Sequence, residues 1–239
     1  MLLHLARRLV GEARSRLFDW THRVETCAEA PGMTRGPHDL SQEGISYSPS
    51  QVSMLHQLFG TLDIDYSRFT FVDLGSGKGR ALLVASEFPF ARIVGVECDG
   101  RLHEVASRNV QRYRSRTQRC TDIECLHRDA LQFPFPTGPL VVYMYTPFRP
   151  PVLIPLLRNL QASYARQPRE IILLYAAPMH RELVTTETAL TPALASARSS
   201  RDVVAFRTPA DLPVVATSRP GAAAASGTRR DETAHRTVA

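Results

Sequence analysis

The stretch Phe69-Thr-Phe-Val-Asp-Leu-Gly-Ser-Gly-Lys-Gly-Arg80 decides the fold of this chain, because it joins a short apolar run to an acid and three alternating glycines. Phe69–Val72 has the length and composition of a buried strand. The glycines that follow, Gly75, Gly77 and Gly79, permit positive φ and allow the backbone to come close to a ligand. A helical pattern follows directly, and the N-terminus of a helix directs its N–H groups toward the preceding turn. The stretch therefore predicts a strand, a ligand-binding turn and a helix.

Four further apolar runs continue the alternation of strands and helices toward the C-terminus. Continuous apolar strands separated by helices are typical of a parallel sheet with both faces covered. Residues 203–206 and the pair Val214 and Val215 predict a terminal hairpin, which would bring the sheet to seven strands. We therefore expect an α/β fold: a Rossmann-like, doubly wound, mainly parallel seven-stranded sheet with helices on both faces. The predicted strands span residues 69–72, 92–96, 123–126, 140–145 and 170–175, and the predicted helices span about 50–62, 80–88, 101–113 and 151–165.

Length and composition place these elements in one globular domain. The chain has 239 residues, of which 44% are hydrophobic and 22% charged, and these values are typical of a single folded domain. We divide it into a helical lead segment over residues 1–43, a main domain over 44–218, and a tail over 219–239 whose composition predicts disorder. No apolar run approaches the length of about 18 residues that a membrane span needs, so no spanning segment is expected.

The four cysteines, Cys27, Cys98, Cys120 and Cys125, form no C-x-x-C pair. The spacing of the last two matches no common zinc arrangement. We therefore expect reduced thiols in a cytoplasmic protein, and no metal site.

The first residues of the chain predict an amphipathic helix. Arginines at positions 7 and 8 interrupt the apolar segment that a signal peptide requires, so the helix is expected to remain part of the protein. We expect its apolar side to dock on the core rather than lie on a membrane. Trp20 and Phe18 are expected to pack with the helix, or alternatively to line an acceptor pocket. The apolar stripe consists of Leu2, Leu3, Leu5, Leu9, Val10, Ala13, Leu17 and Phe18.

The basic residues give a weak indication of a nucleic-acid partner. The formal net charge is +6, and Lys78 is the only lysine among 29 basic residues, a skew that coding bias explains without a binding surface. The densest basic run, over residues 108–119, fits a solvated helix face followed by a loop at least as well as a phosphate-binding patch. RNA therefore stays open as a partner. Lys78 itself is expected to be solvated, because only backbone is needed at that point of the turn.

The order of residues in the glycine turn discriminates between ligand classes. A Walker A loop requires glycine where Val72 stands and serine or threonine where Gly79 stands, so such a phosphate loop is not expected. The dinucleotide fingerprint would place Arg80 at its third glycine, where the close packing of helix on strand leaves no room for a side chain. NAD binding is therefore disfavoured, although the sequence leaves it open.

Acidic residues stand at the carboxyl ends of the first three predicted strands, and these ends meet at one edge of a parallel sheet. The carboxylate of Glu97, after the second strand, can accept both hydroxyls of a ribose. Asp129, after the third, can accept from the exocyclic amine of a purine, or equally cap the next helical turn. Together with Asp73, these carboxylates would repel a phosphate. The pattern thus predicts a pocket for a nucleoside that carries no phosphate.

Three stretches of the chain, FVDLGSGKGR, IVGVE and HRDA, resemble the class I S-adenosylmethionine-dependent methyltransferases. The similarity covers about residues 47–175. It implies S-adenosylmethionine as the cofactor, with Glu97 on its ribose and Asp129 on its adenine side. The residues that the resemblance assigns to cofactor binding are Tyr47, Asp73, Gly75, Ser76, Gly77, Gly79, Glu97, Asp129 and Tyr145.

Two short motifs are similar to those of smaller groups within that superfamily. Tyr47-Ser-Pro-Ser50 resembles the Y-x-P-[ST] segment of protein lysine methyltransferases of the histone H3 lysine-79 and ATP-synthase c-subunit types, where it closes over the methionine end of the cofactor. Tyr145-Thr-Pro-Phe148 resembles the Y-N-P-F of a group of uncharacterised bacterial methyltransferases. Thr146 replaces the Asn, so one hydroxyl stands where that group has a carbonyl and an amine. The resemblance implies that Thr146, Pro147 and Phe148 act on the acceptor side.

We therefore expect a methyltransferase whose acceptor is unidentified, with a protein lysine amine or a small molecule favoured. An amine must be neutral to attack, and a dry pocket with Tyr47, Tyr145 and Phe148 as walls would lower its pKa. Three alternatives stay open: a non-catalytic module that binds the cofactor or a partner, an RNA methyltransferase, and an NAD-linked oxidoreductase. The first is suggested by Thr146, which replaces the Asn of the resembling motif.

Overall fold

The computed structural model describes residues 2–27, 47–145, 148–193 and 203–209. The predicted boundary at residue 43 and the predicted tail from Arg219 lie outside these residues. The helices are α1 (Leu2–His22), α2 (Val52–Gly60), α3 (Arg80–Ala85), α4 (Gly100–Arg112), α5 (Pro150–Arg166) and α6 (Glu182–Glu187). The strands are β1 (Thr70–Leu74), β2 (Arg92–Glu97), β3 (Ile123–His127), β4 (Leu140–Tyr145), β5 (Ile171–Ala176), β6 (Thr191–Pro192) and β7 (Val203–Arg207).

The seven strands form one sheet in the order β3-β2-β1-β4-β5-β7-β6. Strands β1 to β5 are parallel to their neighbours, and β7 is antiparallel to both β5 and β6. The winding reverses between β1 and β4, which is where a doubly wound sheet opens a crevice at the carboxyl ends of its strands. The predicted Rossmann-like, mainly parallel seven-stranded α/β fold is confirmed.

The terminal hairpin differs from the prediction in its partner strand. Val203–Arg207 is a strand as expected, but among the described residues it pairs with β5 and with Thr191–Pro192. Val214 and Val215 lie outside the described residues. The two residues of β6 are exposed and include a proline, so they carry no periodic apolar signal by which the sequence would reveal a strand.

The core has two layers because neighbouring residues of a strand face opposite sides of the sheet. Phe71 of β1 packs in the layer that contains Phe59 of α2 and residues of α3. Val72 packs in the opposite layer, which contains Leu156 of α5. Both faces of the sheet are therefore covered by helices, which explains why β1, β2, β4 and β5 are buried over almost their whole length.

Helix α1 docks on this core by one side only. Gly11, Ser15 and Phe18 are buried, and the Phe18 ring stacks on that of Tyr113 with centroids 5.9 Å apart. The expectation that Trp20 packs with the helix is wrong, because its side chain is 80% exposed. Among the described residues, no helix is both long and apolar enough to cross a bilayer.

A substitution at Phe59 tests how much the core layer that contains α2 and α3 contributes to stability. Its ring contacts four others edge-on, so Phe59→Ala removes a large buried side chain from a rigid aromatic cluster. We expect the free energy of unfolding to fall by about 3–5 kcal/mol in urea denaturation, against about 0.5 kcal/mol or less for the exposed Met179→Ala. Equal losses in the two variants would contradict this core assignment. The ring centroids near Phe59 are those of Phe71 (5.1 Å), Phe88 (5.6 Å), Phe90 (6.3 Å) and Tyr143 (6.5 Å).

Candidate functional site

The turn between β1 and α3 depends on three glycines in the left-handed region. Their φ values are +75° at Gly75, +54° at Gly77 and +83° at Gly79, where a residue with a Cβ is strained. The N–H groups of Gly75 and Ser76 both donate to the carbonyl oxygen of Val96, at 2.8 and 3.0 Å. These two hydrogen bonds hold the turn against the end of β2.

The three glycines have different surroundings. Gly75 is exposed, so its backbone is open to a ligand, whereas Gly77 and Gly79 are buried. A Cβ on Gly77 would lie 2.4 Å from a ring carbon of Tyr47, and one on Gly79 would lie 3.2 Å from the Cβ of Ala106. The first is closer than real contacts allow. Gly77 is therefore required because Tyr47 covers it, and Gly79 allows α3 to approach α4.

Glu97 ends β2 and is 7% exposed. Its Oε2 accepts a hydrogen bond from the Gly77 N–H at 2.7 Å, and its Oε1 accepts one from the Asp99 N–H at 2.9 Å. Burial raises the pKa of this carboxyl, and the two backbone hydrogen bonds oppose the rise. The Cys98 side chain is a third hydrogen-bond partner of this carboxylate. A carboxylate has about four lone-pair sites, so it retains capacity to accept from a ligand.

Asp73 lies in β1 just before the turn and is buried. Burial, and then the nearby Glu97, raise the pKa of its carboxyl to about 8. Burial therefore favours the protonated form of this group. A cation bound beside it would favour the ionised form.

Asp129 follows β3 and caps the short turn of residues 130–132, because its Oδ1 accepts from the Leu131 N–H at 2.9 Å. This contact is the capping role that the sequence left open as the alternative. A contact with adenine stays a prediction. At the same edge of the sheet, the rings of His103 and His127 stack with centroids 5.5 Å apart, a pair that the sequence analysis did not consider. Among the described residues, no group of three or more His, Cys, Asp or Glu side chains is placed to hold a metal.

Tyr47 joins the segment before α2 to the glycine turn. Its hydroxyl donates to the Thr26 carbonyl at 3.0 Å, while its ring lies over Gly77 and has the Lys78 Nζ 5.7 Å from its centroid. Ser50, at the end of the same motif, shares a 2.6 Å hydrogen bond with the Tyr143 hydroxyl of β4. The Y-S-P-S motif is thus anchored at both ends beside the turn.

The prediction that Lys78 is solvated is wrong. The residue is 2% exposed, and its Nζ lies 2.9 Å from Oε1 of Glu25. The segment after α1 passes over the turn and covers this side chain. A search for a lysine partner in the sequence would not find Glu25, because 53 residues separate the two.

Arg80 is buried and holds the same covering segment. Its Nε donates to the Thr26 hydroxyl at 2.7 Å, and its Nη1 donates to the Ser50 carbonyl at 3.0 Å. Its Nη2 lies 2.8 Å from Sγ of Cys27. Asp19 completes the network by accepting from the Thr26 hydroxyl and from the N–H groups of Thr26 and Cys27.

Asn109 is a further residue that sequence reasoning missed. Its Nδ2 donates to the carbonyls of Glu25 (3.0 Å) and Lys78 (2.9 Å), and its Oδ1 accepts from the Glu25 N–H at 2.9 Å. One side chain from α4 therefore binds both the turn and the segment that covers it. In the sequence, a polar residue in the middle of an arginine-rich helix gives no signal of this role.

The acceptor-side motif is only partly described. Thr146 and Pro147 lie outside the described residues. Tyr145 ends β4 and packs against the core layer that contains Phe71, whereas Phe148 packs against the opposite layer. The two rings thus lie on different layers, and their predicted role as walls of one acceptor pocket stays a prediction.

The raised pKa of Asp73 predicts a pH dependence of stability. Between about pH 4 and pH 8 the unfolded chain has lost this proton while the folded chain retains it. Stability contributed by this group therefore falls as pH rises through that window and is constant above it. We expect the stability of Asp73→Asn relative to wild type to increase from pH 4 to pH 8 in urea denaturation. Stability curves for the two proteins that stay parallel over this window would contradict it.

The network around Arg80 predicts that Arg80→Met loosens the segment over the turn. We expect a loss on the order of 2–4 kcal/mol in the free energy of unfolding, because buried carbonyl and hydroxyl groups lose a charged donor. Faster trypsin cleavage after Arg23 should accompany it. The matched control is Arg158→Met, since Arg158 is exposed and pairs with Glu187, and we expect that loss to be about 0.5 kcal/mol or less. Similar losses in both would show that the network does not hold the segment.

No protein-family model matches the chain, and no curated protein matches it in sequence. Among solved structures, a predicted N6-adenine-specific DNA methylase from Listeria monocytogenes is 16% identical, with a TM-score of 0.48, and the match covers 67% of this chain and 51% of that one. The chain thus spans about half the length of the Listeria protein.

Two further structures are similar at the same level. An RNA methyltransferase from Salinibacter ruber, in complex with S-adenosyl-L-homocysteine, is 18% identical, with 70% of this chain and 97% of that one covered and a TM-score of 0.45. A magnesium protoporphyrin IX methyltransferase from Synechocystis, with bound SAM, is 14% identical, with coverages of 66% and 77% and a TM-score of 0.48. At these scores the similarities assign neither an activity nor a ligand to this chain.

Proposed function

We propose that this protein is an S-adenosylmethionine-dependent methyltransferase. The observation that carries the proposal is the buried carboxylate of Glu97, bonded to the Gly77 amide at 2.7 Å at the carboxyl edge of the sheet. This arrangement places a carboxylate with spare acceptor capacity beside an exposed glycine backbone at Gly75. It is the chemistry that a ribose diol requires.

The surrounding charges suit a nucleoside with a cationic substituent. The neutral carboxyl of Asp73 ionises more readily when a positive charge is near. The cation of the turn, Lys78, is paired with Glu25 and lies under Tyr47. Arg80 is likewise committed to Thr26, Ser50 and Cys27. Neither side chain is therefore left to pair with a phosphate group of a ligand.

S-adenosylmethionine, when bound, supplies a methyl group already activated by its sulfonium. The chain then has to bind and orient rather than to provide strong acid or base catalysis. In this proposal Glu97 holds the ribose, Tyr47 covers the turn at the methionine end, and Tyr145 borders the acceptor from the end of β4. Holding the acceptor atom about 3 Å from the methyl group supplies most of the rate enhancement that such a transfer needs.

The acceptor class that we favour is a protein lysine amine or a small molecule, with Thr146, Pro147 and Phe148 on its side of the site. Aromatic walls exclude water and lower the pKa of an amine, so the neutral nucleophile is populated. The principal alternatives are a non-catalytic cofactor-binding module and an RNA methyltransferase. The observation that supports the RNA alternative is that the arginines between residues 108 and 119 are exposed.

Calorimetric titration with S-adenosylhomocysteine tests the cofactor proposal. We expect binding by the wild type and a roughly 30-fold loss of affinity in Glu97→Gln, which corresponds to about 2 kcal/mol for charge-assisted hydrogen bonds. Glu124→Gln is the matched control, because Glu124 pairs with Arg92 in the neighbouring strand, and it should bind as wild type does. The assignment would be refuted if Glu97→Gln bound S-adenosylhomocysteine as tightly as wild type does, or if the wild type bound NAD more tightly than S-adenosylhomocysteine.

Transfer of a labelled methyl group into lysate fractions tests the acceptor class. We expect label in protease-sensitive or low-molecular-weight material. Label that RNase removes would favour the RNA alternative. Binding of S-adenosylhomocysteine without transfer into any fraction would favour the non-catalytic module.

A further inference from the structure

Helix α1 has a second apolar face, which points to solvent. Val10 is 51% exposed, Leu17 59% and Trp20 80%, and Ala13 is exposed between them. These four residues recur at intervals of three and four, so they form one stripe along the helix. We call this stripe the α1 outer face. The opposite side of the helix is the one that docks on the core, where Gly11, Ser15 and Phe18 are buried. Docking on the core therefore does not account for the outer face.

Positive charge borders this apolar stripe. Arg14 and Arg16 are exposed on the same helix. Two acids lie in this part of α1. Glu12 is exposed, whereas Asp19 accepts hydrogen bonds from the N–H groups of Thr26 and Cys27. The outer face thus combines aliphatic and aromatic side chains with a basic border.

A basic depression lies at the C-terminal end of the same helix. His22 lies against the residues that follow α4, since its Nδ1 is 3.0 Å from the Arg114 carbonyl. The depression has a volume of about 490 Å³, and the residues that line it are Arg23, Gln111, Arg112 and Arg114. We call it the arginine depression. Nη1 of Arg114 donates to the carbonyls of Gln111 and Tyr113, at 2.9 and 2.6 Å, so Arg23 and Arg112 are the principal donors that the depression offers to a phosphate group.

We propose that the α1 outer face binds this protein to an anionic lipid surface and that the arginine depression binds lipid phosphates. A helix with Trp and Leu on one face and arginine beside it enters the boundary between headgroups and acyl chains. Trp is favoured at that depth because its ring is apolar and its N–H is polar. Arginines extend their charged ends to the phosphates while their stems stay apolar. This proposal does not depend on the methyltransferase assignment.

Charge and side-chain chemistry favour a lipid surface over other occupants. A second copy packed on the same face would bring Arg14 and Arg16 close to the equivalent arginines, which repel. An RNA could stack a base on Trp20, but it would gain no stacking or hydrogen bonds from Val10, Ala13 and Leu17, since RNA is recognised by aromatic and polar groups. An anionic bilayer satisfies both the apolar and the basic parts.

Trp20 makes the test direct, because it is the only tryptophan of the chain. The full chain is titrated with vesicles of phosphatidylcholine alone and of phosphatidylcholine with phosphatidylglycerol, at low and high salt, and followed by tryptophan emission and co-sedimentation. We expect a blue shift and sedimentation with the anionic vesicles, both weakened by salt. Leu17→Ser should lower vesicle affinity at least about tenfold, since the face loses an apolar side chain that would enter the bilayer. Arg14→Gln combined with Arg16→Gln should reduce the salt dependence.

Met179→Ser is the matched control, because Met179 is 70% exposed and lies in the connection between β5 and α6. We expect it to bind vesicles as wild type does. Three results would overturn the proposal: no binding of the wild type to anionic vesicles, equal losses in Leu17→Ser and Met179→Ser, or a vesicle-free dimer that Leu17→Ser abolishes. Binding of RNA with a blue shift, and none with vesicles, would assign the face to nucleic acid instead.

Discussion

The hydrogen bond from the Gly77 amide to the Glu97 carboxylate is the interaction on which the site depends. It joins the turn after β1 to the end of β2 across a distance of 2.7 Å, and its donor, Gly77, has a positive φ. The acid is positioned by the sheet, since Glu97 is the last residue of a strand whose register with its neighbours is fixed. Secondary structure, turn geometry and the chemistry of the site therefore follow from one local arrangement.

A second layer of contacts holds the turn from outside. The segment after α1 crosses the turn, where Arg80, Asn109 and Lys78 bind it through Thr26 and Glu25. Tyr47 closes the gap between this segment and Gly77. Polar groups buried in this way are costly unless all are paired, so the N-terminal segment is part of the site's structure rather than an appendage. The same helix that leads into it presents an apolar stripe to solvent.

The sequence predicted those features that depend on local periodicity. Strand β1, the glycine turn and the acid at Glu97 were found because apolar runs, glycines and strand ends are visible in a single stretch of chain. The partners of Lys78 and Arg80 were not found, because Glu25, Thr26 and Cys27 lie 53 or 54 residues away and Ser50 lies 30 residues away. Strand β6 was missed since two exposed residues have no pattern. For α1 the prediction that the apolar stripe docks on the core is correct at Phe18 and wrong at Val10, Ala13 and Leu17, which are exposed. Helical periodicity groups these residues, but it does not fix how the helix is rotated against the core.

The most direct test of the central claim is a crystal structure with S-adenosylhomocysteine. The account predicts both ribose hydroxyls at hydrogen-bond distance, about 2.7 Å, from the Glu97 carboxylate, with that carboxylate still accepting from the Gly77 amide. A ligand at another edge of the sheet, or a ribose more than about 4 Å from Glu97 and held by other groups, would contradict it.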